Sequence, residues 1–542
     1  MITSALLARR EAEAVAIDYQ LDGPRNAAAV ARGESRLVGV AIAGGGVESS
    51  VVTEDIPVAL RALGNRPRIY GDAILGRTIE RVFTLPSAIH VDDVRIMRRL
   101  LEYAGLCSPS PAIESLDPLA SVATIQGQFQ SLPGQLLAAT LGTIYAQIEI
   151  PVIDPVVDMI IHGLGIDGEL LNVIESSAAA ELEILRHQIN EVAGMSINPD
   201  DDGQVADFLY DRCGLPVPSW TPRSGKPSVS SHALKVLGAV LPVVPCLCRY
   251  RDEHPIRQAA RSLAIHISPG NGRVHGSLDP LGAVTGRFTC GEPNLQGLHR
   301  RLRNVVTAAD GCVLVEADVS QAEYRVLAHF SREPTLLEAF AGETIDLHKQ
   351  TMALALGKPV REVTDAERQI GKAVNFGIVY GETEYGLAKQ LGVTLREADR
   401  FIEDFFRVRP NVRTWIEGVL DEVHQTGFVR TLFGRRRALP AIWSSVGSEV
   451  REAERQAVNT IIQGTAADLI KLAIARVHQT LPAGCRLLLT VHDSILVEAP
   501  VDRVDEVADV MRREMEVVPL GFSVPIIVDV KAGPTWGQCE TL

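Results

Sequence analysis

Two aspartates stand where the local sequence predicts rigid backbone. Asp318 follows the valine-rich run 312–317, and a helix is predicted to begin just after it. Asp493 lies between two strand-like runs, 486–491 and 494–498, which indicate a tight hairpin. Taken singly, each aspartate is equally consistent with an ordinary turn or cap residue. Taken together, two rigid carboxylates are typical ligands for two-metal-ion chemistry.

Ser320 and Glu323 have the spacing S-x-x-E just after the first aspartate. This spacing is typical of a capping box, in which each side chain bonds to a free N–H at the start of a helix. The sequence therefore predicts that Glu323 completes the first turn of a helix.

Four side chains that suit a nucleotide recur at intervals of four residues within 366–380: Arg368, Lys372, Phe376 and Tyr380. Steps of four drift only about 40° around a helix, so these side chains form one slanted stripe. Two cations followed by two aromatic rings match a nucleoside triphosphate laid lengthwise, with its phosphates on the cations. An ordinary amphipathic helix with a charged first half is the alternative for this segment alone.

The carboxylates and the cationic helix together favour nucleotidyl transfer. In that chemistry one Mg²⁺ lowers the pKa of a primer 3′-hydroxyl, and a second neutralises charge on the triphosphate and on the leaving pyrophosphate. Neither feature alone would support this hypothesis as strongly as the pair does.

These segments resemble the motifs of family A DNA polymerases. The segment 318–325 is similar to the D-Y-S-Q-I-E-L-R motif, 368–381 to the motif of the fingers helix, and Val491-His492-Asp493 to the palm hairpin. Further blocks occur in the order of the family: Thr285-Gly286-Arg287-Phe288, Pro293-Asn294-Leu295-Gln296, Asp346-Leu347-His348, Thr431-Leu432-Phe433-Gly434-Arg435-Arg436-Arg437 and Gln463-Gly464-Thr465-Ala466-Ala467-Asp468. The resemblance runs from about residue 148 to residue 542.

The resemblance implies an α/β multidomain fold, in which a right-hand polymerase of palm, fingers and thumb follows a degenerate RNase H-like exonuclease domain. The implied boundaries are 1–147 for the exonuclease-like domain and 148–542 for the polymerase domain. Within the latter, the thumb is expected at about 165–265, the palm at about 266–335 and 445–542, and the fingers at about 336–444.

The resemblance also implies a template-directed DNA polymerase that uses two Mg²⁺ ions, with Mn²⁺ able to substitute. Asp318 and Asp493 would be the metal ligands and, with Lys372, the catalytic residues. The residues implied to contact the incoming dNTP are Arg368, Lys372, Phe376, Tyr380, His348, Gln321 and Glu323, the last as a steric gate against a 2′-hydroxyl. The residues implied to contact the primer–template are Arg287, Arg455, Asn459, Gln463 and His492.

Two positions depart from the family pattern. Ser494 stands where the family usually has Glu after His-Asp, and Val319 stands where it usually has an aromatic residue. Because the two principal ligands are present, we expect the protein to be active, with metal binding or primer position altered by Ser494. At Val319 we expect looser packing beside the steric gate.

The first 147 residues resemble, more weakly, the 3′→5′ exonuclease domain of the bacterial polymerase I large fragment. Asp18 matches the first carboxylate of its D-x-E motif, but Gln20 replaces the second, and no later Y-x-x-x-D motif follows. Two-metal hydrolysis needs several carboxylates, so the sequence predicts a domain without proofreading activity. The length also leaves no room for a 5′ nuclease domain.

Around these residues, buried strands are predicted near 14–17 and 37–42. Residues 108–133, rich in Ser, Pro and Gln, are predicted to be mainly loop, and residues 150–195 to be helical. From residue 311 onward the pattern predicts strands that alternate with long amphipathic helices.

The composition sets broad limits on partners and location. The 542 residues include 53 basic and 67 acidic side chains, for a net charge of −14, which argues weakly against a nucleic-acid partner unless basic residues cluster. Such clusters occur at 299–303 and 435–437 and near Arg223 and Lys226, and they are candidate phosphate contacts. Eight sparse cysteines predict reduced thiols.

No apolar run reaches the roughly 18–20 residues of a membrane helix, and the N-terminus lacks a signal-peptide pattern. We therefore expect a cytoplasmic monomer, of a bacterial cell or a virus-infected bacterial cell, that works in DNA replication or repair. Its partners would be primer–template DNA and dNTPs, with no membrane.

Two other functions are less consistent with the sequence than a DNA polymerase. A silent primer–template-binding protein would have no need of Asp318, Asp493 and Lys372 together. A polymerase that makes RNA is disfavoured by Glu323, while the copying of RNA templates stays open.

Overall fold

The computed structural model describes residues 15–44, 47–52, 56–63, 68–70, 72–85, 91–107, 118–221, 224–238, 240–341, 346–379 and 381–542. The chain has a mixed α/β multidomain fold, with one five-stranded sheet near its N-terminus and a second formed by residues far along the sequence.

The N-terminal sheet has five strands: β1 (Val15–Asp22), β2 (Arg36–Gly44), β3 (Val47–Val52), β4 (Arg68–Tyr70) and β5 (Val91–Asp93). Their order is β3-β2-β1-β4-β5. Strands β1 to β3 are antiparallel, whereas β4 runs parallel to β1 and to β5. The strands predicted near 14–17 and 37–42 are confirmed as β1 and β2. The helices of this region are α1 (Ala27–Arg32), α2 (Ile56–Ala62), α3 (Ala73–Val82) and α4 (Val94–Tyr103).

Helix α5 (Pro118–Ala138) shows that the loop predicted over 108–133 is wrong for its described residues. Ile125, Phe129, Leu132 and Leu136 recur at helical spacing and are buried, and the helix packs on β1 and β2. Burial of this apolar face outweighs the cost of Pro133 inside the helix. Residues 108–117 lie outside the described residues.

The middle of the chain is mostly helical. Short helical turns over 142–152 lead into α6 (Ile153–His162), strand β6 (Leu164–Ile166) and α7 (Gly168–Ala193). The helix predicted over 150–195 is thus confirmed apart from a break at Gly163, whose φ is +59°. Helix α7 packs along α10 (Val243–Ile265), and the chain between them forms α8 (Asp202–Ala206), a π-helical turn (Asp207–Arg212) and α9 (Ser231–Leu237).

Several short strands follow, and then the strands of the central sheet. The short strands are β7 (Arg273–Val274), β8 (Ser277–Asp279), β9 (Thr289–Gly291), β10 (Val306–Thr307), β12 (Phe428–Arg430) and β13 (Arg436–Ala438). The central sheet consists of β11 (Cys312–Val319), β14 (Arg486–Val491), β15 (Ser494–Pro500), β16 (Val528–Gly533) and β17 (Glu540–Thr541). The order of the central sheet is β14-β15-β11-β16-β17.

Most of the remaining helices lie between β11 and β14, and the last of them follows β15. They are α11 (Ala322–Ser331), α12 (Pro334–Ala341), α13 (Leu347–Leu356), α14 (Asp365–Val379), α15 (Glu384–Leu391), α16 (Leu395–Val408), α17 (Pro410–Thr426), α18 (Gly447–Thr480) and α19 (Val504–Met515). The predicted alternation of strands and long helices after residue 311 is therefore correct in kind, although helices dominate the stretch from α11 to α17.

Two large clusters of buried apolar residues form the core around the sheets and the later helices. One extends from Val15 in the N-terminal sheet to Trp536 beside the central sheet. The other joins α11 to α17 with the first half of α18, and a third lies between α7 and α10. The two sheets therefore share one continuous core.

Among the described residues, no single helix is long and apolar enough to cross a membrane. The bent pair Ser131–Ala138 and Gly142–His162 is long and apolar enough when its two parts are taken together. All eight cysteines are described and carry free thiols, as predicted.

Candidate active site

The two predicted carboxylates lie next to each other at one end of the central sheet. Asp318 is the penultimate residue of β11, and its cross-strand partner is Ser494, the first residue of β15. The backbone N–H of Val319 donates to the carbonyl of Asp493 at 3.1 Å. Because β11 is also paired with β16, Asp318 lies in a strand that has a neighbour on each side.

The predicted hairpin is confirmed, with His492 and Asp493 as its two-residue turn between β14 and β15. His492 has a φ of +55°, in the left-handed region that such turns require. The side chain of His492 is exposed. The hairpin thus holds Asp493 at a rigid tip beside Asp318.

The electrostatics of the pair favour a bound cation. Burial, together with the neighbouring carboxylates of Asp493 and Glu316, raises the pKa of Asp318 to about 7. Burial also raises the pKa of Asp493, although a hydrogen bond with Asp318 lowers it. A divalent cation with a preference for carboxylate oxygen would relieve this repulsion, so the residues fit Mg²⁺ or Mn²⁺.

Ser494 does not contribute a metal ligand in this arrangement. Its side chain is buried, and its hydroxyl donates to the carbonyl of Val491 at 3.1 Å. The hydroxyl therefore closes the hairpin turn, in the position where the family usually has a third carboxylate.

The capping box predicted for Ser320 and Glu323 is wrong. The N-cap of α11 is Gln321, which has a φ of +54° and caps no N–H with its side chain. Glu323 instead forms an ion pair with Arg287. The residue predicted to gate the sugar is thereby tied to a residue predicted to touch the primer, while the side chain of Gln321 is exposed.

The predicted cationic stripe lies on α14, and its neighbour α13 adds to it. Arg368 donates to Asp346 at 2.5 Å, and Asp346 caps the first turn of α13. The Nζ of Lys372 lies 6.0 Å from the ring centre of Phe376. Tyr380, the fourth member of the predicted stripe, lies outside the described residues.

His348, on the first turn of α13, joins the same cluster. Its ring lies 5.8 Å from the ring of Phe376, and Asn375 contacts its Nδ1 at 2.9 Å. The structure thus brings together Arg368, Lys372, Phe376 and His348, as predicted. The sequence analysis did not predict that Asp346 contacts Arg368 or that Asn375 contacts His348. Both residues belong to the motifs, and each is a polar residue between apolar neighbours, which was a visible signal.

The residues predicted to contact the primer–template lie on three separate elements. Arg455, Asn459 and Gln463 recur at intervals of four along α18, so they share one face of this helix. The buried Oδ1 of Asn459 has no hydrogen-bond partner among the described residues. Arg287 follows the turn at Gly286, and His492 lies at the hairpin tip.

The basic cluster 435–437 is not a free phosphate-binding surface, so that prediction is corrected. Arg435 is buried and pairs with Glu149 and Asp468. Arg437 donates to two side chains of α18, and Arg436 stacks on a phenylalanine ring at 3.8 Å. These three arginines are therefore engaged in contacts within the folded chain.

The cluster 299–303 is only partly available to DNA. Arg301 pairs with Glu253 at 2.6 Å, and Arg303 stacks on Trp536 at 4.3 Å. Arg300 is exposed, as is Lys226, and Arg223 lies outside the described residues.

Carboxylates of the N-terminal sheet and of the adjacent helix α3 are engaged by neighbouring groups. Asp18 pairs with Arg25 at 2.7 Å, and Glu80 is buried against Arg68 and Arg77. Asp93 accepts backbone N–H bonds from the starts of α3 and α4. Among the residues that the structure describes, no group of three or more His, Cys, Asp or Glu side chains is arranged to hold a metal ion.

The chain is similar to known proteins over most of its length. Residues 168–538 match the model of DNA polymerase family A. The chain is 37% identical over 402 residues to the thermostable DNA polymerase I of Thermus thermophilus, and the matched region covers 72% of this chain and 48% of that protein. It is 32% identical over 523 residues to DNA polymerase I of Chloroflexus aurantiacus, covering 92% and 54% of the two chains.

A solved structure is similar over nearly the whole chain. It is the POL domain of Pol1 from M. smegmatis, in complex with DNA primer-template and dNTP. The TM-score is 0.88 at 25% identity, with 99% of this chain and 98% of that chain covered. The chain spans about half the length of the curated relatives that it matches.

Proposed function

The chain belongs to DNA polymerase family A, and we propose that it extends the 3′-hydroxyl of a DNA primer with dNTPs under the direction of a template strand. The observation that carries the proposal is the pair Asp318 and Asp493, held side by side by the backbone bond between Val319 and Asp493. Replication or repair of DNA is the setting that this activity suits.

Asp318 and Asp493 would hold two Mg²⁺ ions, with Mn²⁺ able to substitute. Bound there, the ions would favour deprotonation of the primer hydroxyl and neutralise charge on the triphosphate. The raised pKa values support this assignment: burial raises both, and the charge of Asp493 raises that of Asp318 further, so a cation would compensate buried negative charge.

The incoming dNTP would lie along α14. Arg368 and Lys372 would bind its phosphates, and His348 and Gln321 would add hydrogen bonds. Phe376 would stack beside the sugar and base, and Tyr380 would guard the templating position. Asp346 supports this assignment, since it orients Arg368 through the 2.5 Å contact.

Glu323 would exclude ribonucleotides by occupying the space of a 2′-hydroxyl. Its ion pair with Arg287 supports this role, because the pair limits the positions that the carboxylate can adopt.

The primer–template would contact Arg287, Arg455, Asn459, Gln463 and His492. The buried Oδ1 of Asn459, which has no hydrogen-bond partner in the described part of the chain, supports this assignment, since a buried acceptor left unsatisfied is costly. Contacts with phosphates should make the affinity for DNA fall steeply with salt.

We infer a right-hand architecture for residues 148–542, with the thumb at about 165–265, the palm at about 266–335 and 445–542, and the fingers at about 336–444. The central sheet supports the palm assignment, and the long antiparallel pair α7 and α10 supports the thumb. Residues 1–147 would be the degenerate RNase H-like exonuclease domain. We further infer a monomer that acts in the cytoplasm.

We also infer that the protein does not proofread. Gln20 provides no charge where the exonuclease motif has a carboxylate, and Asp18 is neutralised by Arg25 at 2.7 Å. A nuclease that uses two metal ions needs several free carboxylates.

The test is extension of a labelled DNA primer–template with Mg²⁺ and four dNTPs. We expect templated extension by the wild type, a loss of at least about a thousandfold in Asp493→Asn, and full activity in the exposed control Asp502→Asn. A wild type that binds duplex without extending it would overturn the proposal in favour of a silent binding protein. A mismatched primer should stay intact; shortening that persists in Asp318→Asn would contradict the loss of proofreading.

A further inference from the structure

The loop that carries Arg287 is held by the N-terminal region of the chain. Residues 280–288, here termed the Arg287 loop, join β8 to β9, which pair from Ser277 with Gly291 to Asp279 with Thr289. Helix α4 directly follows the last strand of the N-terminal sheet, and it contacts the start of this loop.

Two side chains of α4 make the closest contacts. Arg99 forms an ion pair with Asp279 and also donates to the carbonyl of Leu281 at 3.1 Å. The hydroxyl of Tyr103 donates to the same carbonyl at 2.9 Å. Arg95 lies 3.7 Å from Asp279 and adds positive charge. The start of the loop is therefore bound by several groups of one helix.

Asp279 links this helix to the loop backbone. Its Oδ1 accepts from the N–H of Leu281 at 2.9 Å, and Leu281 is buried. Burial tends to raise the pKa of Asp279, but Arg95 and Arg99 hold this pKa below its ordinary value. The carboxylate is thus charged at neutral pH and is shared between α4 and the loop.

The other end of the loop rests on a buried ion cluster. Gly286 has a φ of +84°, and a Cβ there would lie only 2.6 Å from Nε of Arg435. Arg435 is fixed by Glu149 and Asp468. Between the two ends, the N–H of Ala283 donates to the carbonyl of Arg287 at 3.3 Å. The position of Arg287 therefore depends on both anchors.

We propose that α4 positions the Arg287 loop for the end of the primer duplex, with Asp279 and Tyr103 as positioning residues. This rests on the proposed function, in which Arg287 contacts the primer–template. It gives the N-terminal sheet a role in DNA binding that requires no nuclease chemistry.

The test uses full-length variants titrated with a fluorescent primer–template by anisotropy. Asp279→Asn removes the shared charge, and Tyr103→Phe removes a single hydroxyl. Glu102→Gln is the matched control, because Glu102 lies on the same helix and pairs with Arg98 at 3.2 Å. We expect Kd to rise about fivefold for Asp279→Asn and about twofold for Tyr103→Phe, with no change for the control.

A kinetic readout distinguishes this effect from general damage. With saturating primer–template, the KM for dNTP should rise by less than the Kd for DNA in Asp279→Asn and Tyr103→Phe, because Arg287 reaches the dNTP site through its ion pair with Glu323 and the DNA directly. An increase in the KM for dNTP as large as the increase in Kd for DNA would overturn the proposal.

Coupling to Arg287 provides the decisive comparison. If Asp279 acts through Arg287, then the double variant Asp279→Asn/Arg287→Ala has the Kd of Arg287→Ala alone. Additive losses, or equal losses in Asp279→Asn and Glu102→Gln, would overturn the proposal. If Asp279→Asn does not fold, Tyr103→Phe is compared with Arg287→Ala in the same way, alone and in the double variant.

Anisotropy needs no catalysis, so the two proposals fail separately. A wild type that binds primer–template without extending it would overturn the proposed function only. A wild type that extends primers while Asp279→Asn and Tyr103→Phe bind DNA normally would overturn the role of α4 only.

Discussion

Asn375 donates a hydrogen bond from Nδ2 to Nδ1 of His348 at 2.9 Å. The orientation of the amide follows from the carbonyl of Leu347, which faces Nδ2 at 3.4 Å and can only accept. Oδ1 lies 2.8 Å from the hydroxyl of Thr351, which also contacts the carbonyl of Leu347 at 2.9 Å. Nδ1 of His348 is therefore an acceptor, and the neutral ring carries its proton on Nε2. Burial lowers the pKa of His348, which favours this neutral form.

Asn375→Leu should weaken the binding of dNTP without disturbing the metal site. The substitution removes the donor that fixes the tautomer, so Nε2–H is no longer guaranteed as a donor to phosphate. We expect the KM for dNTP to rise about tenfold, with a smaller change in kcat. The measurement is steady-state extension together with ¹⁵N shifts of His348; unchanged shifts and KM would contradict the assignment.

Glu323→Ala should relax the choice of sugar. Removing the carboxylate opens space beside the 2′ position, so we expect ribonucleotide incorporation to rise by at least about tenfold relative to dNTP. Since Glu323 also pairs with Arg287, Arg287→Ala serves as the control for loss of the pair. The same dNTP/rNTP preference in Glu323→Ala and wild type would refute the gate.

Asp468→Asn should destabilise the fold strongly. Arg435, Glu149, Asp468 and Lys471 form a cluster of buried charges joined by ion pairs. Loss of one partner leaves an uncompensated buried charge, which costs about 3–5 kcal/mol. Denaturant unfolding would measure this loss, with the exposed Asp502→Asn as the control. A change below about 1 kcal/mol would show that the cluster is relaxed by water.

His275 should make stability depend on pH in the mildly acidic range. It is buried, and its Nδ1 lies 2.7 Å from the carbonyl of Ile160. Burial lowers its pKa below 6.5; the bond to Ile160 opposes this effect, while Arg273 and Arg32 lower the pKa further.

The unfolded chain therefore binds the proton at a higher pH than the folded chain does. Stability should be fully present above pH 6.5 and should fall as the pH drops through the mildly acidic range below that value. His275→Asn retains an N–H donor without this titration, so its Tm should vary less with pH in that range. Parallel Tm profiles for the two proteins would exclude His275 as the source.

Ser494→Glu should increase the dependence of stability on divalent ions. A glutamate in register with Asp318 would add a third negative charge to the pair. Without divalent ions, we expect a loss of about 1–2 kcal/mol relative to Ser494→Gln, which has the same size and no charge. Mg²⁺ should restore Ser494→Glu more than Ser494→Gln, as read from Tm with and without the ion; equal responses would contradict the prediction.

The sequence predicted the elements whose signal is local. The valine-rich run before Asp318 and the paired runs around Asp493 are strands because they alternate with turn residues and face a buried core. The four-residue spacing on α14 likewise brought Arg368, Lys372 and Phe376 to one surface. Such patterns need no knowledge of the rest of the chain.

Features that depend on distant partners escaped prediction. Arg435 resembles a surface cation until Glu149 and Asp468 are seen to enclose it. Glu323 has the spacing of a capping box, yet Arg287, 36 residues away, binds it instead. Helix α5 continues through Pro133 because its apolar face is buried against the N-terminal sheet. In each case a tertiary contact outweighs the local preference.

The single core that joins the two sheets constrains how this chain can change over generations. Apolar residues from Val15 to Trp536 belong to one packed cluster, so removal of the N-terminal sheet would expose a broad apolar surface to water. A single substitution at a half-buried polar position such as Gln20 exposes nothing of the kind. Selection can therefore exchange such side chains gradually, while physical packing keeps the N-terminal sheet itself in the gene.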